Sequence, residues 1–212
     1  MSIKENIIAL ELPSNVHLVV AAKGRSPEQV REAINAGAKI IGENYVQESL
    51  DLMDALGTDS ERVDWHFIGH LQSNKVRKVV STHDLIQTVD SLKLGKKIDA
   101  CCEREGKTMP VFIEVNSAGE PEKHGVMPED AEALASELLL LDNLSLQGIM
   151  TMGPREGFLP AFKKTRELFL ALKTHDPQVT YLSMGMSRSY SEAIVHGANM
   201  VRIGSRIFDN QM

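Results

Sequence analysis

At 212 residues, 42% of them hydrophobic and 25% charged, the chain has the composition of a globular protein with enough apolar material for a substantial core. Its 23 basic against 29 acidic residues leave a formal net charge of −6, which argues against nucleic acid or an anionic membrane as the main partner. The two cysteines, Cys101 and Cys102, are adjacent, so they cannot staple distant segments and lack zinc-ligand spacing; a reduced, cytoplasmic setting and no metal are expected.

Residues 1–13 carry Lys4, Glu5 and Glu11 among their apolar positions, so they lack a signal-peptide core, and no apolar run reaches the ~20 residues of a membrane span. From there, short strand-like runs alternate with helical periodicity. The first strand is expected at Val16 to Ala21, and Ser26-Pro27-Glu28 then opens a helix with a cap residue and proline at its first position. Lys39 to Gly42, Trp65 to Gly69, Asp84 to Val89 and Val111 to Asn116 read as strands two to five. Helices are expected from Tyr45 to Leu56, from near Ser73, and from Ser91 to about Glu105, with another opening at Pro128. Leu146 to Met152, Thr180 to Met184 and Asn199 to Ile203 complete the strands, separated by a helix from Pro160 to Lys173 and a short one ending at Gly197. Eight strands with intervening helices in this length predict an α/β protein, a single (β/α)8 TIM barrel over residues 1–212; periodicity alone also admits a doubly wound open sheet.

Ser183-Met184-Gly185-Met186-Ser187 and Met200-Val201-Arg202-Ile203-Gly204-Ser205 each follow a short apolar run with glycine, a hydroxyl and backbone N–H groups, the equipment of a phosphate site. In a barrel, the loops after strands seven and eight are the usual place for one. Alternation along the strands sets Val19, Ala21 and Lys23 on one face, and likewise Met200, Arg202 and Gly204; Phe112, Glu114 and Asn116; Ile40, Gly42 and Asn44; and Gly148, Met150 and Met152. The last of each set would stand at the mouth. A lysine at a strand end beside a phosphate cradle suggests Schiff-base chemistry, set against the alternative of a solvated lysine opening a loop. Arg202, in an apolar strand, would be a buried cation needing a partner: Glu114, Glu43 or a cofactor ring nitrogen.

The residues Val20-Ala21-Ala22-Lys23, Gly42-Glu43-Asn44-Tyr45-Val46-Gln47-Glu48, Trp65 to Lys75, Gly185-Met186-Ser187 and Val201 to Ser205 resemble the pyridoxal-phosphate homeostasis proteins, relatives of the alanine racemase N-terminal barrel. The resemblance spans about residues 16 to 208. It implies an alanine racemase-like barrel holding pyridoxal 5′-phosphate (PLP) as an internal aldimine on Lys23. Ser187 and Ser205, with the amides around Met186 and Gly204, would hold the phosphate, and Arg202 would face the pyridine nitrogen. Asn44 and Met150 match positions near the cofactor. His66 does too, with a hydrogen-bonded role inside the barrel as the equal alternative. Asn116, Glu120 and Lys123, within the 115–125 segment, also match the family pattern, against the alternative of an ordered surface loop with internal ion pairs.

Two departures stand out. Ser189 and Ser191, preceded by Arg188, replace acids usual in the family, so the loop is expected to lose that anchoring and to gain positive charge beside the phosphate. The segment before Lys23 is shorter than usual, so a helix closing the barrel bottom is expected to be reduced or absent.

The resemblance implies a monomeric cytoplasmic carrier that buffers PLP and hands it to apo PLP-dependent enzymes without appreciable turnover and without catalytic residues of its own. A PLP-dependent amino-acid racemase and a class I aldolase-like barrel using Lys23 are the alternatives. Racemisation needs a second base opposite the lysine, a tyrosine that alanine racemase takes from a second domain, and a chain ending just past strand eight would lack it.

Overall fold

The computed structural model describes residues 2–120, 122–154 and 156–209. Eight parallel strands, β1 (His17–Ala21), β2 (Ile40–Glu43), β3 (Asp64–Phe67), β4 (Leu85–Val89), β5 (Met109–Glu114), β6 (Leu144–Met150), β7 (Tyr181–Ser183) and β8 (Met200–Ile203), close into a barrel in sequence order. The open-sheet alternative is therefore excluded: β8 pairs with β1, Arg202 lying beside Val19. Every residue of β2, β4 and β8 is buried, as strands enclosed on both faces require.

Outside the barrel lie α1 (Ile3–Ile8), α2 (Pro27–Asn35), α3 (Val46–Leu56), α4 (Val76–Thr82), α5 (Leu92–Glu105), α6 (Ala131–Leu138), α7 (Leu159–His175), α8 (Tyr190–Val195) and α9 (Ser205–Phe208). The sequence explains their ends. Ser26 accepts from Gln29 N–H while the Gln29 side chain accepts from Ser26 N–H, a capping box with Pro27 at the first helical position. Gly106, left-handed at φ 63°, ends α5 and donates to the carbonyls of the last turn.

The core has two shells. Val19, Ile40, Ile68, Leu85, Phe112, Met150 and Met200 fill the barrel interior. A larger shell lies between strands and helices, including Val111, Ile113, Ile149 and Leu182 from the sheet and Ile98, Leu138 and Phe169 from the helices. The alternation expected from sequence therefore holds for β1, β2, β5, β6 and β8.

The N-terminal helix is reduced, as the short segment before Lys23 led us to expect: it is six residues long, and its capping box joins Ser2 and Glu5. Asn6, buried, donates from Nδ2 to the Ile207 carbonyl at 2.8 Å, so α1 packs on the outer flank against α9 and not across the barrel bottom. No helix of the described residues is long and apolar enough to cross a membrane.

Candidate functional site

Strand order brings the β1, β8 and β7 ends together on one side of the mouth. Lys23 stands exposed, two residues past β1, with Nζ 4.8 Å from the centre of the Tyr45 ring. Next to it, Gly204 lies so close to β1 that a Cβ there would meet the Ala21 carbonyl oxygen at 2.9 Å, which only glycine avoids. Ser205 follows as the first residue of α9. The neighbouring loop is tied in by Arg206 N–H, which donates to Ser187 Oγ at 3.3 Å. The hydroxyls of Ser187 and Ser205 therefore belong to two adjoining loops facing the end of β1. Among the described residues, the N–H groups of Ser187 and Ser205 donate to no other group of the chain.

The loop after β7 is anchored, contrary to the expectation drawn from its missing acids. Ser189, 8% exposed, accepts the Met186 N–H on Oγ at 3.2 Å, so a hydroxyl caps the turn that a carboxylate would otherwise hold. That bond also means that the Met186 amide, expected to face an anion, is engaged within its own loop. Gly185 at φ 95° makes the turn possible, and a Cβ there would strike Ala193. Arg188 is exposed.

Beneath the mouth, Arg202 is 3% exposed. Its Nη1 donates to Ser183 Oγ at 2.7 Å and its Nη2 to the Thr151 carbonyl at 2.8 Å. Ser183 Oγ in turn donates to Gln87 Oε1 at 2.7 Å, and Gln87 Nε2 lies 2.9 Å from His66 Nδ1. The chain of donors runs one way, which requires a neutral His66 accepting on Nδ1. Burial pushes the His66 pKa down to about 3, in keeping with that role. His66 is thus hydrogen-bonded within the barrel interior.

Arg202 itself is pulled down to about 10 by desolvation, partly offset by Glu114, and stays a cation at neutral pH. Glu114 is raised to about 7 by burial first and by the neighbouring Asp90, with Arg202 working the other way. Its Oε2 has no hydrogen-bond partner among the described residues. Glu43, also raised to about 7 by burial, lines a separate outer cleft with Glu48 and is not the partner of Arg202.

Of the predicted residues, Lys23, Ser187, Gly204 and Ser205 meet at the rim and Arg202 lies below them. Met150, fully buried, pairs with Ser183 on β7 and forms part of the interior floor. Asn44 follows β2 beside Gly69, where any Cβ would collide with the Asn44 carbonyl at 2.1 Å. Asn116 organises the loop after β5, accepting from Glu120 N–H and donating to the Glu120 and Lys123 carbonyls. Lys123 pairs with Glu120 and donates to the Gly153 carbonyl at 2.7 Å; Pro121, between them, lies outside the described residues. Sequence reasoning missed Gln87, Thr151 and the bridging hydroxyl of Ser183, because neutral polar residues in strands carry no signal of which face they occupy.

Across the mouth, His70 and His124 stack at 3.7 Å with planes 10° apart, and Asp90 lies close to both. A metal ion between parallel rings would sit far out of both ring planes, away from the nitrogen lone pairs, so the stack is a packing contact.

Comparison with known proteins places this geometry in a family. The family model for the alanine racemase N-terminal domain matches residues 6–210. Pyridoxal phosphate homeostasis proteins from Vibrio alginolyticus and Aquifex aeolicus are 37% and 40% identical, covering 92% and 90% of this chain and 87% and 85% of their own. The solved structure of PipY from Synechococcus elongatus without PLP superposes with a TM-score of 0.92 at 33% identity, covering 98% of this chain and all of that one. PipY with PLP bound gives 0.88 at 32% identity. The chain belongs to the alanine racemase N-terminal-domain family and, within it, to the pyridoxal phosphate homeostasis proteins.

Proposed function

We propose that this protein holds PLP as a Schiff base on Lys23 and buffers or delivers the cofactor to apo PLP-dependent enzymes, without appreciable turnover. The observation that carries the reading is the meeting of Lys23, the hydroxyl loops ending at Ser187 and Ser205, and the buried cation Arg202 on one side of the barrel mouth. PipY, similar over nearly the whole chain, binds PLP, and the curated relatives carry the homeostasis name.

The donor set fits the group. Two hydroxyls and the free N–H groups of Ser187 and Ser205 suit a phosphate, and Gly204 lets their loop lie against β1, where a Cβ would meet the Ala21 carbonyl. Met186 and Asn44 would border the ring, with Met150 below. PLP supplies an aldehyde for the lysine and an electron-poor ring that stabilises carbanions. Arg202, held by Ser183 and Thr151, keeps a permanent cation where the resemblance sets the ring nitrogen, and so disfavours a proton there and weakens that electron sink.

The tyrosines also support a carrier over a racemase. Tyr45 lies beneath the lysine amine on its own side, Tyr181 packs on Phe112 and His17 at the barrel bottom, and Tyr190 donates to the Leu10 carbonyl on the outer flank. None of the three stands across the mouth as a second base.

Borohydride reduction of the PLP-loaded protein followed by peptide mapping tests the attachment: label on Lys23 and a visible absorption band lost in Lys23→Ala are expected, and label on another lysine overturns it. Delivery is checked by mixing loaded protein with an apo PLP enzyme beside a scavenger of free PLP; activation no faster than scavenging allows would remove the carrier role.

A further inference from the structure

A groove of about 680 Å³ runs down the outer wall between α4 and α5, far from the residues proposed to hold PLP. Five cations line it, Arg77 from α4 and Lys93, Lys96, Lys97 and Arg104 from α5, against one acid, Glu105. All five are exposed, and none is in an ion pair among the described residues.

This arrangement is unfavourable for the helix that carries it. Lys93 and Lys97 are like charges four residues apart, which weakens a helix. The first two turns of α5 hold Lys93, Lys96 and Lys97, and its first turn has no acid, so the cations sit at the end where the helix dipole favours anions. On a chain of net charge −6, such a concentration of uncompensated positive charge points to an anionic partner.

Shape selects the class. The twelve residues from Lys93 to Arg104 extend about 16 Å along α5, too long and open for a single small anion. Single-stranded nucleic acid is held by aromatic stacking platforms, and no aromatic residue lines the groove. Between Arg77 and the lysines the floor is apolar, formed by Val76, Ala100 and Cys101. We infer that the groove docks an acidic amphipathic helix of a partner protein, its apolar stripe on the floor and its carboxylates on the cations along both rims. The loop from β3 to α4, which supplies Ser73 and Asn74 to the upper end of the groove, also supplies His70 to the barrel mouth, so a docked partner would stand beside that mouth. The inference goes beyond the cofactor reading and does not depend on it.

The test uses the full-length, PLP-loaded protein and a fluorescein-labelled synthetic helix with Leu on one face and Glu along both flanks, followed by anisotropy. Binding is expected to weaken about tenfold or more with the triple variant Lys93→Glu, Lys97→Glu, Arg104→Glu, and to fall with added salt. The matching control, Lys4→Glu, Lys163→Glu, Lys164→Glu, makes the same change in net charge elsewhere on the surface and should bind like the parent. Circular dichroism and the PLP absorption band, both expected unchanged, separate loss of docking from loss of fold or of cofactor; if the triple variant unfolds, Lys93→Gln, Lys97→Gln, Arg104→Gln replaces it. Equal affinity in the groove and control variants would overturn the inference. So would equally good binding of the Gln-substituted peptide, of oligo(dT) or of pyrophosphate, the last two pointing to nucleic acid or a small anion instead.

Discussion

The relay from Arg202 through Ser183 and Gln87 to His66 has no spare member. In Ser183→Ala, Arg202 Nη1 and Gln87 Oε1 both lose a buried partner, and a loss of about 1–3 kcal/mol in urea unfolding is expected. Glu114 adds a pH dependence whose sign follows from its raised pKa. Between its ordinary 4.5 and about 7 the folded protein keeps a proton that the unfolded chain has released, so this group's contribution falls as pH rises through that window. His66 acts oppositely: with its pKa lowered from 6.5 to about 3, its contribution is complete above 6.5 and is lost as pH falls. Glu114→Gln removes only the first effect. The melting temperature of this variant relative to the parent should therefore rise between about pH 5 and pH 8; a constant difference would show that Glu114 does not titrate as described. At the rim, Ser187→Ala should weaken PLP retention by ~1.5–3 kcal/mol at most in equilibrium dialysis, since neighbouring amides persist.

Among the elements, the tightest contact near the site is the crossing of Gly69, after β3, over the carbonyl of Asn44, after β2. A methyl group there must displace backbone, so Gly69→Ala is expected to cost on the order of 1–3 kcal/mol and to loosen PLP binding through Asn44. Helix α2 shows how much of the fold was legible in the sequence, because Ser26, Pro27 and Glu28 announce its start and the structure begins it at Pro27. All eight strands were visible as apolar runs, with ends shifted by a residue or two. Helix α9 was not visible: four residues are too short for periodicity to register, and the contact that joins it to α1, Asn6 to the Ile207 carbonyl, spans 201 positions. The site divides in the same way. Lys23 and Arg202 stood out as charges in apolar surroundings, whereas Gln87 and Thr151 could be recognised only once β4 and β6 had been set around Arg202.

For the whole molecule, ligand binding should appear as stability. If PLP binds only the folded barrel, a hundredfold excess over its dissociation constant adds about 2.7 kcal/mol, so the melting temperature should climb with PLP concentration. Lys23→Ala should lose most of that rise, and an equal rise in both proteins would place the cofactor elsewhere. The pairing of β8 with β1 has a further consequence, for the newborn chain. Leu18 finds its neighbour Val201 only after almost the entire sequence has been made. At ~5–20 residues per second of synthesis, that edge of β1 waits for roughly 10–40 s, with its backbone amides and carbonyls open to any passing strand. Long-range parallel pairing is slow even once the strands are present. The interval before closure is thus the period in which this protein is most exposed to aggregation, and the cell's chaperones have their task set by the last strand to emerge.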